Sequence, residues 1–469
     1  MTAWPILTGD TCDEPVMKNS PSVFCRKATN LYIMVMSSVF VLFTGPEGYI
    51  LLEWKKCVFF AAATVSWLFV LTCGIFPGCG KRFFHRHYKI QDILLPAFIL
   101  ACVISTLASS KPLFLPKSDG RYNALLIYCL YGLVVLATAH FGSAERPALY
   151  AFVIAYSICC FIAIIQLLGY NPLGLFPNRL NYYDPFVQEI APFLGTVGNI
   201  DLLSALHCLA VPMSAAYLIL GHGRGRALFL IPLCLGLGCM FWVRVASGIV
   251  ALLSTAILFS AFLPSLLNQR YGCFSGMDER RRFLAGIIPA AVLLIGILTL
   301  LRIYPFSRGT VSELHRLMNG QVLDEFGSGR IAIWRNVLQV IGERPVLGAG
   351  PGSLGDVLTV RFDRYSQSLG FLVEQGVDDA HNEYLHHMAS FGLLGCIPLF
   401  LLQLRTAFLY VKTRAYRRTR CVVLAAGCFC YMVQAFFNIS SCITTPLVCI
   451  VWGLLLRALC EQAPGNMTA

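Results

Sequence analysis

This sequence predicts an all-α, polytopic membrane protein. Three observations carry the expectation: 57% of its 469 residues are hydrophobic, only 13% are charged, and apolar runs long enough to span a bilayer recur from end to end. A soluble domain carries roughly a quarter charged residues. Unpaired backbone groups are so costly in hydrocarbon that recurrent runs of about 20 apolar residues must be bundled helices satisfying their own hydrogen bonds. The formal net charge of +12 gathers in short loops, with no basic face interleaved with aromatics. That distribution excludes nucleic acid as a partner and leaves membrane lipids and topology to explain the charge.

Residues 1–27, with Asp10, Asp13, Glu14 and Pro15, lack the apolar core and cleavage site of a secretory signal. They are expected to form a cytoplasmic segment, with insertion left to the first span. Cys12 and Cys25 share this segment, whereas most of the 20 cysteines, such as Cys159, Cys160, Cys428 and Cys430, lie in apolar stretches as small hydrophobes. No disulfide framework or zinc spacing emerges.

About twelve spans are expected, near 28–45, 57–77, 90–109, 122–141, 148–169, 200–220, 226–243, 246–268, 283–302, 388–410, 421–438 and 440–460. Lys81, Arg82, Arg86 and Lys89, then Arg224 and Arg226, then Arg270 and Arg280 to Arg282, then Lys412, Arg414, Arg417, Arg418 and Arg420 fall on alternate turns. The positive-inside bias makes these turns cytoplasmic, together with both termini. Lys111, Lys117 and Arg121 weigh the other way, but the 411–420 run is denser and contains no acid. The expected division is therefore 1–27 cytoplasmic, 28–302 spans one to nine, 303–387 a large, partly helical extracytoplasmic loop, 388–460 spans ten to twelve, and 461–469 a cytoplasmic tail. A smaller external segment, 170–199, is rich in Pro, Asn and Tyr.

Long loops with their own structure are usually functional. In this one, Ser328 and Gly329 precede Ile331, Trp334, Val337, Leu338 and Ile341 at helical spacing, and Pro345 ends the pattern. An amphipathic helix is expected, lying on the membrane or folded back on the bundle. Arg330 falls in its first turn, where the macrodipole disfavours a cation. Either a solvated arginine or an anion ligand suited to phosphate explains it. Gly350, Gly352 and Gly355 formally match G-x-G-x-x-G, but they follow a helix rather than a strand. A tight turn fits better than a phosphate nest.

The segment Asp378-Asp379-Ala-His381-Asn382-Glu-Tyr384-Leu-His386-His387 leads into the tenth span, and the acidic pair is expected to cap its helix. His381 at the top of a membrane helix is either structural or a general base, since imidazole titrates near neutrality. His386 and His387 read as interfacial, and the three histidines are not spaced to hold a metal from one helical face. Asn199 and Asp201, before the sixth span, orient a sugar or cap the helix, with Asp201 the expected cap.

Together, Gly327-Ser-Gly-Arg330-Ile-Ala-Ile-Trp334, Pro345-Val-Leu-Gly348-Ala-Gly350, and Ala380-His381-Asn382-Glu-Tyr384-Leu385 followed by Phe391-Gly-Leu-Leu-Gly395 resemble the O-antigen ligase/polymerase family of membrane glycosyltransferases. Gly195-Thr-Val-Gly198-Asn199 and Gln166-Leu-Leu-Gly169-Tyr-Asn171-Pro172 extend the resemblance over roughly residues 90–455. It implies a GT-C-like, cofactor-independent enzyme of the bacterial plasma membrane. Such an enzyme moves a glycan from a polyprenyl-pyrophosphate donor to a glycan, lipid or protein acceptor on the outer face. Arg330 and His381 match the implied catalytic residues, and Arg244, Asn199, Trp334, Gly350, Asn382 and Tyr384 are the implied substrate contacts. The family's S-R-G element reads Arg244-Val-Ala-Ser247-Gly248 here, with the arginine displaced. Polyprenyl pyrophosphate needs little acid assistance to leave, so arginines to stabilise it and His381 to take the acceptor proton suffice for an inverting displacement. A secondary transporter is the alternative, but ionisable groups within the spans are few, chiefly His207 and Arg405.

Overall fold

The computed structural model describes residues 21–75, 89–116, 122–143, 146–190, 192–306, 309–366 and 370–461. Asp10, Cys12, Asp13, Glu14, Pro15, Lys81, Arg82, Arg86, Lys117, Arg121 and the tail from residue 462 fall outside the described residues. The chain opens with α1 (Pro21–Ser37), α2 (Val39–Leu42), α3 (Leu52–Ile75), α4 (Gln91–Ala108), α5 (Leu125–Phe141) and α6 (Arg146–Leu167). A short excursion follows, with α7 (Pro185–Ile190) and a hairpin pairing β1 (Phe193–Leu194) with β2 (Gly198–Asn199). Leu175, Phe176 and Val187 tie it to Tyr49 and Leu52 in a small apolar cluster. Then come α8 (Ile200–Leu220), α9 (Leu230–Val243), α10 (Ala246–Ser260) and α11 (Leu263–Tyr271), the last two bent by 61°, and α12 (Glu279–Ile303).

The long loop holds α13 (Gly309–Met318), α14 (Phe326–Glu343), α15 (Leu354–Val357) and an antiparallel hairpin of β3 (Arg361–Ser366) and β4 (Phe371–Gly376). α16 (Glu383–Lys412), α17 (Thr419–Gln434) and α18 (Thr445–Cys460) complete the chain. The protein is therefore a polytopic helical membrane protein, and each of the twelve expected spans falls on helix. Among the described residues, however, only eight helices, or nine with the bent pair, are long and apolar enough to cross a bilayer. α5 and α18, at 17 and 16 residues, are shorter apolar helices. The loop is partly helical, as expected, and it also carries a hairpin for which the sequence gives no strand signal.

α8 is the centre of the bundle: 78% of its apolar window is buried, against 6% for α12, which lies at the periphery. α8 packs chiefly on α17 and α9, α5 on α18, and α4 on α16. α14 folds back on the bundle and builds a small core of Ile333, Val337 and Val340 with Leu354, Ala380 and Ala389. Leu338, expected on that face, is 56% exposed. Lys111 pairs with Asp356 of the loop at 3.0 Å, so this basic turn lies at the loop end of the bundle with a carboxylate beside it.

The loop is fastened to the bundle at a break in α16. Gly392 takes φ 60° and ψ −164°, which interrupts the helix ladder. The Ala389 and Ser390 carbonyls accept the Ala349 and Gly350 N–H groups at 2.7 and 2.9 Å, and the Leu393 and Leu394 N–H groups donate to Pro345 and Val346 at 2.8 and 3.1 Å. Ser105 Oγ of α4 lies 2.6 Å from the Leu347 carbonyl and 2.7 Å from that of Ser390. Irregular backbone is tolerated at membrane depth when protein satisfies it in this way. A Cβ on Gly392 would meet the Val346 carbonyl carbon at 2.3 Å, whereas α12's Gly296 has open space. Gly392→Val should thus cost about 3 kcal/mol or more through strain and overpacking. In detergent its melting temperature should fall well below that of Gly296→Val; equal melting temperatures would refute this role for the break.

Candidate active site

Arg330 is positioned by a left-handed turn. Gly327, Ser328 and Gly329 take φ of 64°, 61° and 85°, so the right-handed part of α14 begins at Arg330 itself. Gly329 is required there, because a Cβ would lie 2.6 Å from the Phe362 ring. Glu313 Oε2 accepts the Gly327 N–H at 3.1 Å and steadies the turn. The guanidinium is half-buried. Nη1 donates to the Gly327 carbonyl at 3.1 Å and Nη2 to the Phe437 carbonyl at 3.3 Å. Nε is buried and bonds no described residue. One turn along, Trp334 Nε1 donates to the Ala380 carbonyl at 3.0 Å, and its ring lies 6.3 Å from that of Phe437. A single face of α14 thus reaches both the α17–α18 connection and the residue preceding His381.

His381 sits at φ 48°, a left-handed conformation uncommon outside glycine. Its N–H donates to Asp379 Oδ1 at 2.8 Å, and Asp379 Oδ2 lies 2.9 Å from Nδ1 of His386, with both side chains buried. Asp379 is therefore the clamp on the His381 backbone. The expected acidic cap is corrected accordingly: Asn382 caps α16, accepting the Tyr384 and Leu385 N–H groups at 3.0 and 3.1 Å. His386 and His387 are also not interfacial. His386 is enclosed with Asp379, and the His387 ring packs edge-on against Tyr128, 5.9 Å away, because the first turn of α16 starts beneath the loop. Tyr384 donates to the Met432 carbonyl at 2.8 Å, and its ring lies tilted against that of Phe436, 4.5 Å away.

Beneath His381 lies a polar layer that the sequence reading missed. Glu383 accepts from Tyr431 Oη at 2.6 Å, Asn438 Nδ2 donates to Gln434 at 3.1 Å, and Ser441 Oγ donates to Glu53 at 2.7 Å. A tyrosine inside the apolar α17 facing a carboxylate is the one signal for it, since polar groups in a span are costly without partners.

The remaining residues cluster at the same end of the bundle. Asn199, rather than Asp201, caps α8, accepting the Asp201 N–H at 2.8 Å. The Gly195–Asn199 element is a hairpin fixed by Gln166, Tyr49 and Val41: Gly195 N–H to Gln166 at 2.7 Å, Tyr49 Oη to the Gly195 carbonyl at 2.6 Å, Thr196 Oγ1 to the Val41 carbonyl at 2.7 Å. Arg244 ends α9 at φ 58°, exposed, with no side-chain hydrogen bond to a described residue. Its neighbours Val243 and Val245 line a small void with Ile200 and Leu203 at the start of α8, while Ala205 packs against Tyr431 and Tyr384. Gly350, at φ 102°, gives its N–H to Ser390, so this amide belongs to the loop's fastening and not to a phosphate nest.

A family model described as O-Antigen ligase matches residues 209–400, the stretch from the middle of α8 to the middle of α16. Over these residues, 192 of the 469, the chain is similar to the O-antigen ligase family. No curated protein matches it. The matched segment includes Arg244, Arg330, Trp334, Gly350, His381, Asn382 and Tyr384, while Asn199 precedes it by ten positions. That similarity points to a glycosyltransferase-type enzyme, and the long apolar helices make the chain a multi-pass membrane protein.

Proposed function

We propose that the chain transfers a glycan from a polyprenyl-pyrophosphate donor to an acceptor hydroxyl on the outer face of the membrane. The observation that carries this reading is the hydrogen bond from Trp334 to Ala380, which draws the turn bearing Arg330 to the residue next to His381 within the matched segment. The acceptor oxygen attacks the anomeric carbon, the bond from that carbon to the pyrophosphate oxygen breaks, and the electron pair leaves with polyprenyl pyrophosphate. His381 takes the hydroxyl proton. Arg330, whose Nε makes no bond to a described residue, stabilises the charge on the departing oxygens, and Arg244 supplies a second cation. Asn199, Asn382 and Tyr384 serve mainly to hold the helix ends that carry these groups, and Trp334 holds the His381 segment. One displacement inverts the anomeric configuration. The loop and site face outward together with the Lys111 turn, and the Arg224, Arg270–Arg282 and 411–420 turns and both termini face the cytoplasm. The acceptor is a glycan, lipid or protein.

Purified protein given lipid-linked glycan and acceptor should release one polyprenyl pyrophosphate per linkage formed, with inverted configuration and undiminished rate in EDTA. A retained configuration in the product would exclude the single displacement.

A further inference from the structure

A second feature lies at the opposite, basic end of the bundle. Between α1, α6, α8, α17 and α18 is a cavity of about 120 Å³, lined by apolar side chains that include Phe152, Leu209, Met213 and Ile450. Its charged lining is Arg146 and Arg420, at the starts of α6 and α17. The other arginines of the 411–420 run are engaged. Arg414 and Arg417 meet Glu279 at 3.5 and 2.8 Å, and Arg418 donates to the Ala458 and Glu461 carbonyls at 2.7 and 2.9 Å, closing the end of α18.

Arg420 differs. Its Nη1 holds Glu461 at 3.1 Å, but Nε and Nη2 are buried and bond no described residue. Buried donors without acceptors each carry a desolvation penalty. Planar guanidinium donors of this kind match phosphate. Glu461 is also shared with Arg457 at 2.8 Å, so one carboxylate is divided between two guanidiniums. Burial first, and then the fields of Arg270, Arg146 and Arg226, hold the nearby His222 imidazole below its ordinary range. A cationic rim over an apolar interior matches a lipid with an anionic head better than a free anion.

We propose that this cavity binds an anionic glycerophospholipid, its phosphate on Arg420 and Arg146 and the first methylenes of one acyl chain in the apolar interior. The site joins five helices and is separate from the transfer chemistry.

The full chain in phosphatidylcholine nanodiscs with graded phosphatidylglycerol tests this, with bound lipid read by native mass spectrometry. Wild type should retain phosphatidylglycerol, and the Arg146→Ala, Arg420→Lys double variant should bind it about tenfold more weakly. Arg414→Ala, which faces Glu279, should bind as wild type does. Ile450→Phe fills the interior without touching the arginines and should also weaken retention, which decides the matter if the double variant fails to fold. Equal retention by wild type and Ile450→Phe, displacement by inorganic phosphate alone, or preference for a polyprenyl phosphate would overturn the proposal.

Discussion

Replacing His381 is expected to lower kcat for glycan transfer by about 10²–10⁴, the usual contribution of a positioned general base. Alanine is the less informative substitution, because position 381 sits at φ 48° and a left-handed residue with a Cβ costs roughly 1–2 kcal/mol unless its side chain suits that region. Asn tolerates the left-handed backbone and cannot accept a proton at neutral pH. His381→Asn should therefore lose as much activity as His381→Ala while melting closer to wild type. If His381→Asn keeps wild-type turnover, His381 only shapes the loop.

The second large effect is expected at Arg330. Two of its nitrogens are anchored on the Gly327 and Phe437 carbonyls, which leaves the guanidinium plane fixed with Nε to spare. Lysine keeps the charge but cannot hold both carbonyls and present a further donor. Arg330→Lys should lower kcat/KM for the lipid-linked donor by about 10²–10³, the loss seen when one preorganised donor to a developing anion is removed. The fold should tolerate it, since the left-handed turn is held by Glu313 and by Gly329 against Phe362. A lysine variant with unchanged kcat/KM would show that Arg330 serves only to tie α14 to Phe437.

Much of this was legible in the sequence because hydrophobic runs and short motifs are local signals. The spans from α3 to α12 fall within a few residues of where apolar length places them, whereas Arg330 and His381 are singled out by the resemblance of their motifs to the O-antigen ligase/polymerase family, their own segments leaving a structural role open. What was not legible depends on partners distant in the chain. Asp378 and Asp379 looked like a helix cap, and only the proximity of His386 and the turn at His381 gave Asp379 other work and left the cap to Asn382. His386 and His387 look interfacial in sequence because nothing in the helix itself reports that Asp379 encloses the one and Tyr128 packs on the other. The break at Gly392 hid inside an apolar run of ordinary helical appearance, since its cause is the backbone of Pro345–Gly350. The loop hairpin escaped because its strands pair across an exposed edge and show no clean alternation.

The fastening at Gly392 also dictates when the protein can be finished. Ser105 reaches carbonyls 242 and 285 residues further along the chain, at Leu347 and Ser390. At about 5–20 residues per second, the ribosome needs on the order of 15 to 60 s after making Ser105 to deliver its last partner. Throughout that interval α4 waits in the bilayer with its loop-side contact unmade. Assembly of the site is thus a late event in synthesis, with the N-terminal helices acting as a template on which the second half of the chain docks.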